Sequence, residues 1–477
     1  MSLNQAADEA ARRLGASKEA FFRRVLVADA AVQKKMLLLI QQEVQALVAD
    51  HADLVPDYYP TIARLAREAP FKLIRDAMAQ LQGAIEAAWP QDLRENAKCG
   101  ERVSYFVDNG DIESIANDDE TISALFRMAF LRTGRVSHFV QLLAWHKSYL
   151  QLYQSSIVCI MVRDGSLPLH WRSYIALMAA SELRCHYLAD LQQYYFIMNG
   201  GDYDYGAAMA EQQAIEDLHF PRGNSPESTS SSGSLTDQDL ASIERDEDFV
   251  LKRLKMQEGS DTADDDDDEA EFDGDSFGLE GVFEIAEEDT GYDLDAESIG
   301  GRRRDTLWRF CGGTVIRYAD FDVKSSEYNV LHTEDFSWEE HAFSLIRRYF
   351  PGEAGQILED QFNLTSRLTY EFYGSNKDEE VDTTPYRHAI WYYVHRIFGI
   401  CHDDYDYRQV NVYLNRPTKI FIKKVACTPW KVTKEDFEHF NLKLSASEKC
   451  HVTLLVAEAR KQAGLMYGLR ALMKHMR

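Results

Sequence analysis

VDTTPYRHAIWYYVHRIFGICHDDYDY, residues 381–407, holds a helix start, an apolar face, a helix stop and an acidic, aromatic tail in one run. Thr384 before Pro385 reads as an N-cap followed by proline at the first helical position, where its missing N–H costs nothing. Ile390, Trp391, Val394, Ile397 and Phe398 recur at three- and four-residue spacing, which is one wide apolar face. Gly399 is the stop. Next come His402-Asp403-Asp404-Tyr405-Asp406-Tyr407, whose crowded carboxylates repel one another and resist burial. The spacing therefore predicts a core helix followed by a surface loop that presents charge.

Helical patterns of this kind recur along the chain. KKMLLLIQQEVQALVADH within 18–50, and then residues 60–88, read as helices, with Pro56 and Pro60 marking the break between them. In TISALFRMAFLRTGRVSHFVQLLAWHKSYLQLY, from Thr121, Leu125, Phe126, Ala129 and Phe130 make a helical stripe. In the segment from Leu167, Tyr174, Leu177, Met178, Ser181, Cys185 and Leu188 fall along one side of a helix. Ser337 with Glu340 three residues on is a capping box, and a second helix follows the Pro351-Gly352 break. Ser447 precedes a long helix striped by Val452, Leu455, Ala459, Ala463, Met466, Leu469 and Met473. The expected fold class is all-α.

At 477 residues the chain is long enough for two or three domains, and 45% hydrophobic content fills real cores. No apolar run is long enough to span a membrane. MSLNQAADEAARR has no secretory apolar core, so the expected location is cytoplasmic, with the nucleus also open. Seven cysteines, spread out and without CxxC pairs, suit a reducing compartment and argue against structural zinc. The formal charge of −26 speaks against binding nucleic-acid backbone. Much of that charge is local, because residues 261–300 hold 18 Asp and Glu and no Lys or Arg. We read 206–300 as a mostly disordered acidic linker with a helix at 240–256.

Three stretches together resemble the sestrins, stress-induced proteins that bind leucine and restrain TOR signalling. They are RHAIWYYVHRIFGICHDDYDY, FSWEEHAFSLIRRYFP upstream and SEKCHVTLLVAEARKQAGLMYGLRAL downstream. The resemblance covers about 122–202 and 305–477. It implies two helical globular domains of the alkyl hydroperoxidase D-like kind, 1–205 and 301–477, joined by the linker.

Residue by residue, the resemblance places the ammonium of a bound leucine on Glu448 and its carboxylate on Arg387. Thr369, Tyr370 and Thr383 match lid residues, and His146 with Tyr149 matches a pair at the domain interface. Asp403 and Asp404 match the acidic pair that contacts the GATOR subcomplex upstream of TOR complex 1. Cys185 and Tyr187 match a redox site whose third member, a histidine, is here Gln192. A peroxidatic cysteine needs a proton acceptor or a cation nearby, and glutamine takes no proton, so at most a weak alkyl hydroperoxide reductase is implied. Further departures are Phe372 for a lid threonine, Asn441 for a pocket-floor tryptophan, Tyr386 for a leucine, and a longer lid between Phe372 and Thr383. No cofactor or metal is implied. Read without the resemblance, Arg387 and Glu448 are equally a structural ion pair, Cys185 an inert core thiol, and 402–407 a solvated loop.

Overall fold

The computed structural model describes residues 21–50, 55–88, 106–107, 119–201, 237–257, 330–350, 352–374 and 381–476. Most of the 206–300 segment and the start of the expected 301–477 domain lie outside these residues. In chain order the α-helices are α1 Ala30–Asp50, α2 Val55–Glu68, α3 Lys72–Ala88, α4 Glu120–Thr133, α5 His138–Leu142, α6 Lys147–Met161, α7 Leu169–Glu182 and α8 His186–Met198. Then follow α9 Asp237–Gln257, α10 Phe343–Tyr349, α11 Ala354–Thr365, α12 Thr384–Ile397, α13 Arg408–Tyr413, α14 Arg416–Cys427, α15 Lys434–His439 and α16 Ala446–Met476. The described strands are two short ones, Leu331–His332 (β1) and Ile400–Cys401 (β2), paired in parallel. The chain is all-α, and no described helix is long and apolar enough to cross a membrane.

One core gathers α1–α4 and α6, with Phe22, Ile40, Ile62, Met78, Phe130 and Tyr149 buried together. Leu454 of α16 enters this same core. A second core surrounds α12, where Ile390 and Val394 are fully buried against Val456 and Ala459 of α16. The long helix is thus shared: one stripe faces the second core while its start leans on the first. His146 donates from Nε2 to the Ser447 carbonyl at 3.1 Å, and Tyr149 donates to Glu458 Oε1 at 2.7 Å.

Several boundaries differ from the sequence reading. The expected break lies just ahead of Pro56: α1 ends at Asp50 and α2 begins at Val55, so Pro56 sits in the first turn, where orphan N–H groups make proline harmless. Pro60, in contrast, lies inside α2, and a second break falls around Pro70. The N-cap of α12 is Thr383 rather than Thr384; Asp382 Oδ1 accepts the Thr384 N–H at 2.8 Å, and the Thr383 hydroxyl donates to the Thr369 and Tyr370 carbonyls. The capping box at Ser337 is half made. Its hydroxyl accepts from Glu340 N at 3.2 Å, but its own N–H donates to His341 Nδ1. The helix expected after Ser447 begins earlier, at Ala446.

The largest correction concerns the acidic linker. Its expected helix is present as α9, yet it is not a free linker element. Val250 and Leu254 are buried in the second core, and Glu247 Oε1 accepts the Leu442 N–H at 2.7 Å. Asp248 pairs with Lys443 beside it. Two buried apolar side chains one turn apart on an otherwise charged helix suffice when a groove already exists to receive them.

Candidate functional site

The start of α12, the start of α16 and the segment 369–374 enclose one pocket. Arg387, Glu448, Thr369 and Thr383 supply its polar wall, and Val452, Leu455, Leu444, Phe372 and the rings of Tyr373 and Tyr386 its apolar one. The space among them is about 240 Å³ counting its open mouth, but little more than one enclosed position fits a water. An amino acid enters only if a wall moves.

Residues 369–374, the segment the resemblance matches to a lid, form one of those walls. Thr383 N donates to the Tyr370 carbonyl at 3.1 Å and Val381 N to the Glu371 carbonyl at 3.1 Å, clasping the segment to the start of α12. Thr383 Oγ1 adds a bond to the Thr369 carbonyl at 2.9 Å. At the far end Gly374 N donates to Glu448 Oε1 at 2.7 Å. Gly374 has φ +85°, and a Cβ there would stand 2.6 Å from the Lys443 carbonyl oxygen, so only glycine closes this contact. Below the lid, His451 donates from Nε2 to the Thr365 carbonyl at 2.6 Å. Burial holds its imidazole neutral, with a pKa down at about 3. Its Nδ1 is therefore the acceptor, and the Thr369 hydroxyl donates to it. His146 lies edge-on to the same ring, at 5.8 Å, and so reaches the lid through His451.

The two charged residues of the pocket are held differently. Glu448 acts as the return arm of a capping box on α16: Oε2 accepts from Ser445 N at 2.8 Å and Ser445 Oγ at 2.6 Å. Arg387 is 4% exposed, and its hydrogen-bond partners among the described residues are hydroxyls, Thr383 Oγ1 at 3.1 Å and Thr384 Oγ1 at 2.6 Å. Its guanidinium lies 5.1 Å from the ring of Tyr370, which stacks on it from outside the pocket. Burial pulls its pKa down to about 10. Among the described residues no carboxylate forms an ion pair with it. The structure thus does not contain the Arg387–Glu448 ion pair; among the described residues it holds a buried cation with no carboxylate in ion-pair contact, influenced at longer range by Asp382, beside a carboxylate with one face on the same pocket.

At the other end of α12 the chain turns at Gly399, which has φ +79°, and enters β2. Asp403, Asp404 and Asp406 are exposed, as expected. The aromatic residues of the run are not. The rings of His402 and Tyr405 pack on Tyr392 of α12, at 4.3 and 4.4 Å, and Tyr407 stands edge-on to Tyr405. His402 and the fully buried His395 share a hydrogen bond of 2.7 Å. Burial pushes their pKa values down to about 4 and about 3. The two aspartates are also unlike one another. Asp403 accepts from His332 Nδ1 at 2.6 Å and from Glu334 N at 3.4 Å, whereas Asp404 has no partner among the described residues.

The Cys185 region corrects the sequence reading. Tyr174 to Leu188 is not one helix: α7 ends at Glu182, Arg184 takes φ +52°, and Cys185 is the N-cap of α8. Met178 and Leu188 of the expected stripe are exposed. Cys185 is half-buried at a helix start, and Tyr187 lies under the Arg135 guanidinium, its hydroxyl pushed up to about 12 by burial. Gln192 Oε1 is buried without a hydrogen-bond partner among the described residues.

A family model described as PA26 p53-induced protein (sestrin) matches residues 102–214 and 207–476. The chain belongs to the sestrin family. A sestrin homolog of Dictyostelium discoideum is 29% identical, across 89% of this chain and 84% of its own length. Sestrin-1 of Macaca fascicularis is 28% identical over 87% of this chain and 99% of its own, and Sestrin-2 of Bos taurus 26% over 84% and 98%. Within this sestrin, Asn441 is buried and joins the polar frame behind the pocket. It donates to the Tyr373 hydroxyl at 3.0 Å and accepts from Lys443 N and Leu444 N. Tyr386 stands edge-on to Tyr373 at 5.6 Å. Sequence reasoning missed His451, Ser445 and Gly374. The signals were available: a histidine three residues after Glu448 on an apolar stripe, a serine three before it, and a glycine closing the lid.

Proposed function

We propose that this sestrin is an amino-acid-responsive negative regulator of TOR complex 1 signalling, which holds the GATOR subcomplex through Asp403 and Asp404 and releases it when leucine fills the pocket. The observation that carries the reading is the buried Arg387, which has no carboxylate in ion-pair contact among the described residues and faces the same pocket as Glu448. A buried charge without its partner costs several kcal/mol (about 3–5 when one member of an ion pair is removed), so a site that keeps one has a use for a complementary anion. A free amino acid brings that anion, an ammonium for Glu448 and an apolar side chain for the wall of Val452 and Leu455. Leucine entry displaces the segment 369–374 outward or onto the ligand, and α12 links that movement to the acidic turn at its far end.

One observation favours a second reading, a ligand-independent scaffold: the pocket as it stands holds about one water, and Phe372 occupies part of its wall. Thermal stability of the purified protein with each amino acid in turn separates the two. The sensor reading expects a rise in melting temperature with leucine, or with one related apolar amino acid, that Arg387→Ala removes. The scaffold reading expects no rise with any. Peroxide reduction through Cys185 and Tyr187 is the remaining alternative; without a histidine at position 192 we expect slow turnover, and a fast reaction abolished by Cys185→Ser would revive it.

A further inference from the structure

We propose that His332, Cys401 and Asp403 form a binding site for a divalent cation of the zinc class. The three residues are far apart in sequence and meet because β1 and β2 pair in parallel with His332 opposite Cys401 and Leu331 opposite Ile400. Successive strand residues face opposite ways. Leu331 and Ile400 are fully buried in the core beneath, so His332 and Cys401 turn outward together. The register is fixed by Leu331 N on the Gly399 carbonyl at 2.9 Å and Thr333 N on the Cys401 carbonyl at 3.0 Å. Asp403, two residues beyond Cys401, folds its carboxylate back onto the same face and meets His332 Nδ1 at 2.6 Å.

One donor atom from each residue, imidazole nitrogen, thiol sulfur and carboxylate oxygen, lies within 4.8 Å of the others. Bonds of about 2.0–2.3 Å to a tetrahedral zinc ion put donors roughly 3.3–3.8 Å apart, so closure needs only side-chain adjustment on a fixed backbone base. One nitrogen, one sulfur and one oxygen are a borderline-soft set, which suits zinc over magnesium or calcium. The face is open: the His332 side chain is 48% exposed. A cation here would therefore keep its fourth position for water or an outside ligand. Counting cysteines along the chain could not find this site, because its ligands belong to two strands joined only in the fold.

A bound cation neutralises Asp403 and should weaken the GATOR contact. That consequence rests on the proposed function, whereas the binding itself does not. The test uses the full chain, reduced, titrated with cobalt(II) as a spectroscopic stand-in for zinc. We expect one equivalent to produce thiolate-to-cobalt charge-transfer absorption, and zinc to bleach it. Cys401→Ser should abolish the band, His332→Ala should weaken affinity at least tenfold, and Cys427→Ser, at an exposed cysteine outside the cluster, should change nothing. Melting temperatures without metal should match the wild type, which separates lost ligation from lost folding. Absence of the band, its survival in Cys401→Ser, or indifference to His332→Ala would each overturn the three-donor site.

Discussion

The two ends of α12 handle charge in opposite ways. At its start, Arg387 and Glu448 are buried, every hydrogen bond they make is internal, and the surrounding space is nearly closed. At its end, Asp403 and Asp404 stand in solvent on a base of packed rings. The buried end depends on an intact frame, and its cation has no carboxylate in ion-pair contact among the described residues. The exposed end gives up little stability when changed and is free to meet a protein. One helix thus joins the pocket to the acidic turn, which on the proposed function are the ligand site and the partner surface.

That contrast can be broken most severely from behind the pocket. Leu254→Ala removes a fully buried side chain from the second core and should cost about 2–5 kcal/mol in denaturant unfolding. An unchanged unfolding midpoint would restore the view of α9 as dispensable linker. Glu448→Ala strips the acceptor from Gly374 N and the return arm from the cap of α16. Losing a cap and orphaning buried donors should together cost about 2–3 kcal/mol, with the leucine response gone. Gly374→Ala meets both a positive φ and the Lys443 carbonyl, and we expect a loss of about 1–3 kcal/mol together with faster proteolysis near the lid. A neutral outcome there would mean that the lid does not seat as described.

The acidic end should show its character through pH. His402 and His395 stay neutral in the fold down to about 4 and about 3, whereas an unfolded histidine takes its proton near pH 6.5. The unfolded chain therefore binds protons first, and this contribution to stability is complete above pH 6.5 and lost progressively as pH falls toward 4. His402→Asn should flatten the fall of melting temperature across that window; an unaltered slope would exclude the histidine pair as its source. The smallest structural effect belongs to Asp403→Ala with Asp404→Ala. Exposed carboxylates contribute little, so the melting temperature should hold. Co-precipitation of the GATOR subcomplex should nevertheless fall tenfold or more, and unchanged recovery would remove the partner assignment.

Much of this was legible in the sequence because burial follows periodicity. Ile390, Val394, Leu455 and Ala459 were placed by spacing alone, and Gly399 by its chemistry. What escaped depended on contacts between distant segments. Nothing near Cys185 announces that Arg184 adopts a left-handed turn and splits the expected helix in two. Pro60 looks like a breaker until its place in α2 is known. The helix α9 was expected, but its docking was hidden, since its charge dominates its composition while Val250 and Leu254 do the packing. Arg387 and Glu448 could be named as a pair, yet only the fold shows that they share a pocket without touching.

The account's central claim is that leucine at the start of α12 controls the grip at its end. The most direct measurement is co-precipitation of the GATOR subcomplex by the wild type and by Arg387→Ala, with and without leucine. We predict that leucine releases the partner from the wild type, while Arg387→Ala binds it equally in both conditions. A wild type that holds its partner whether or not leucine is present would contradict the claim.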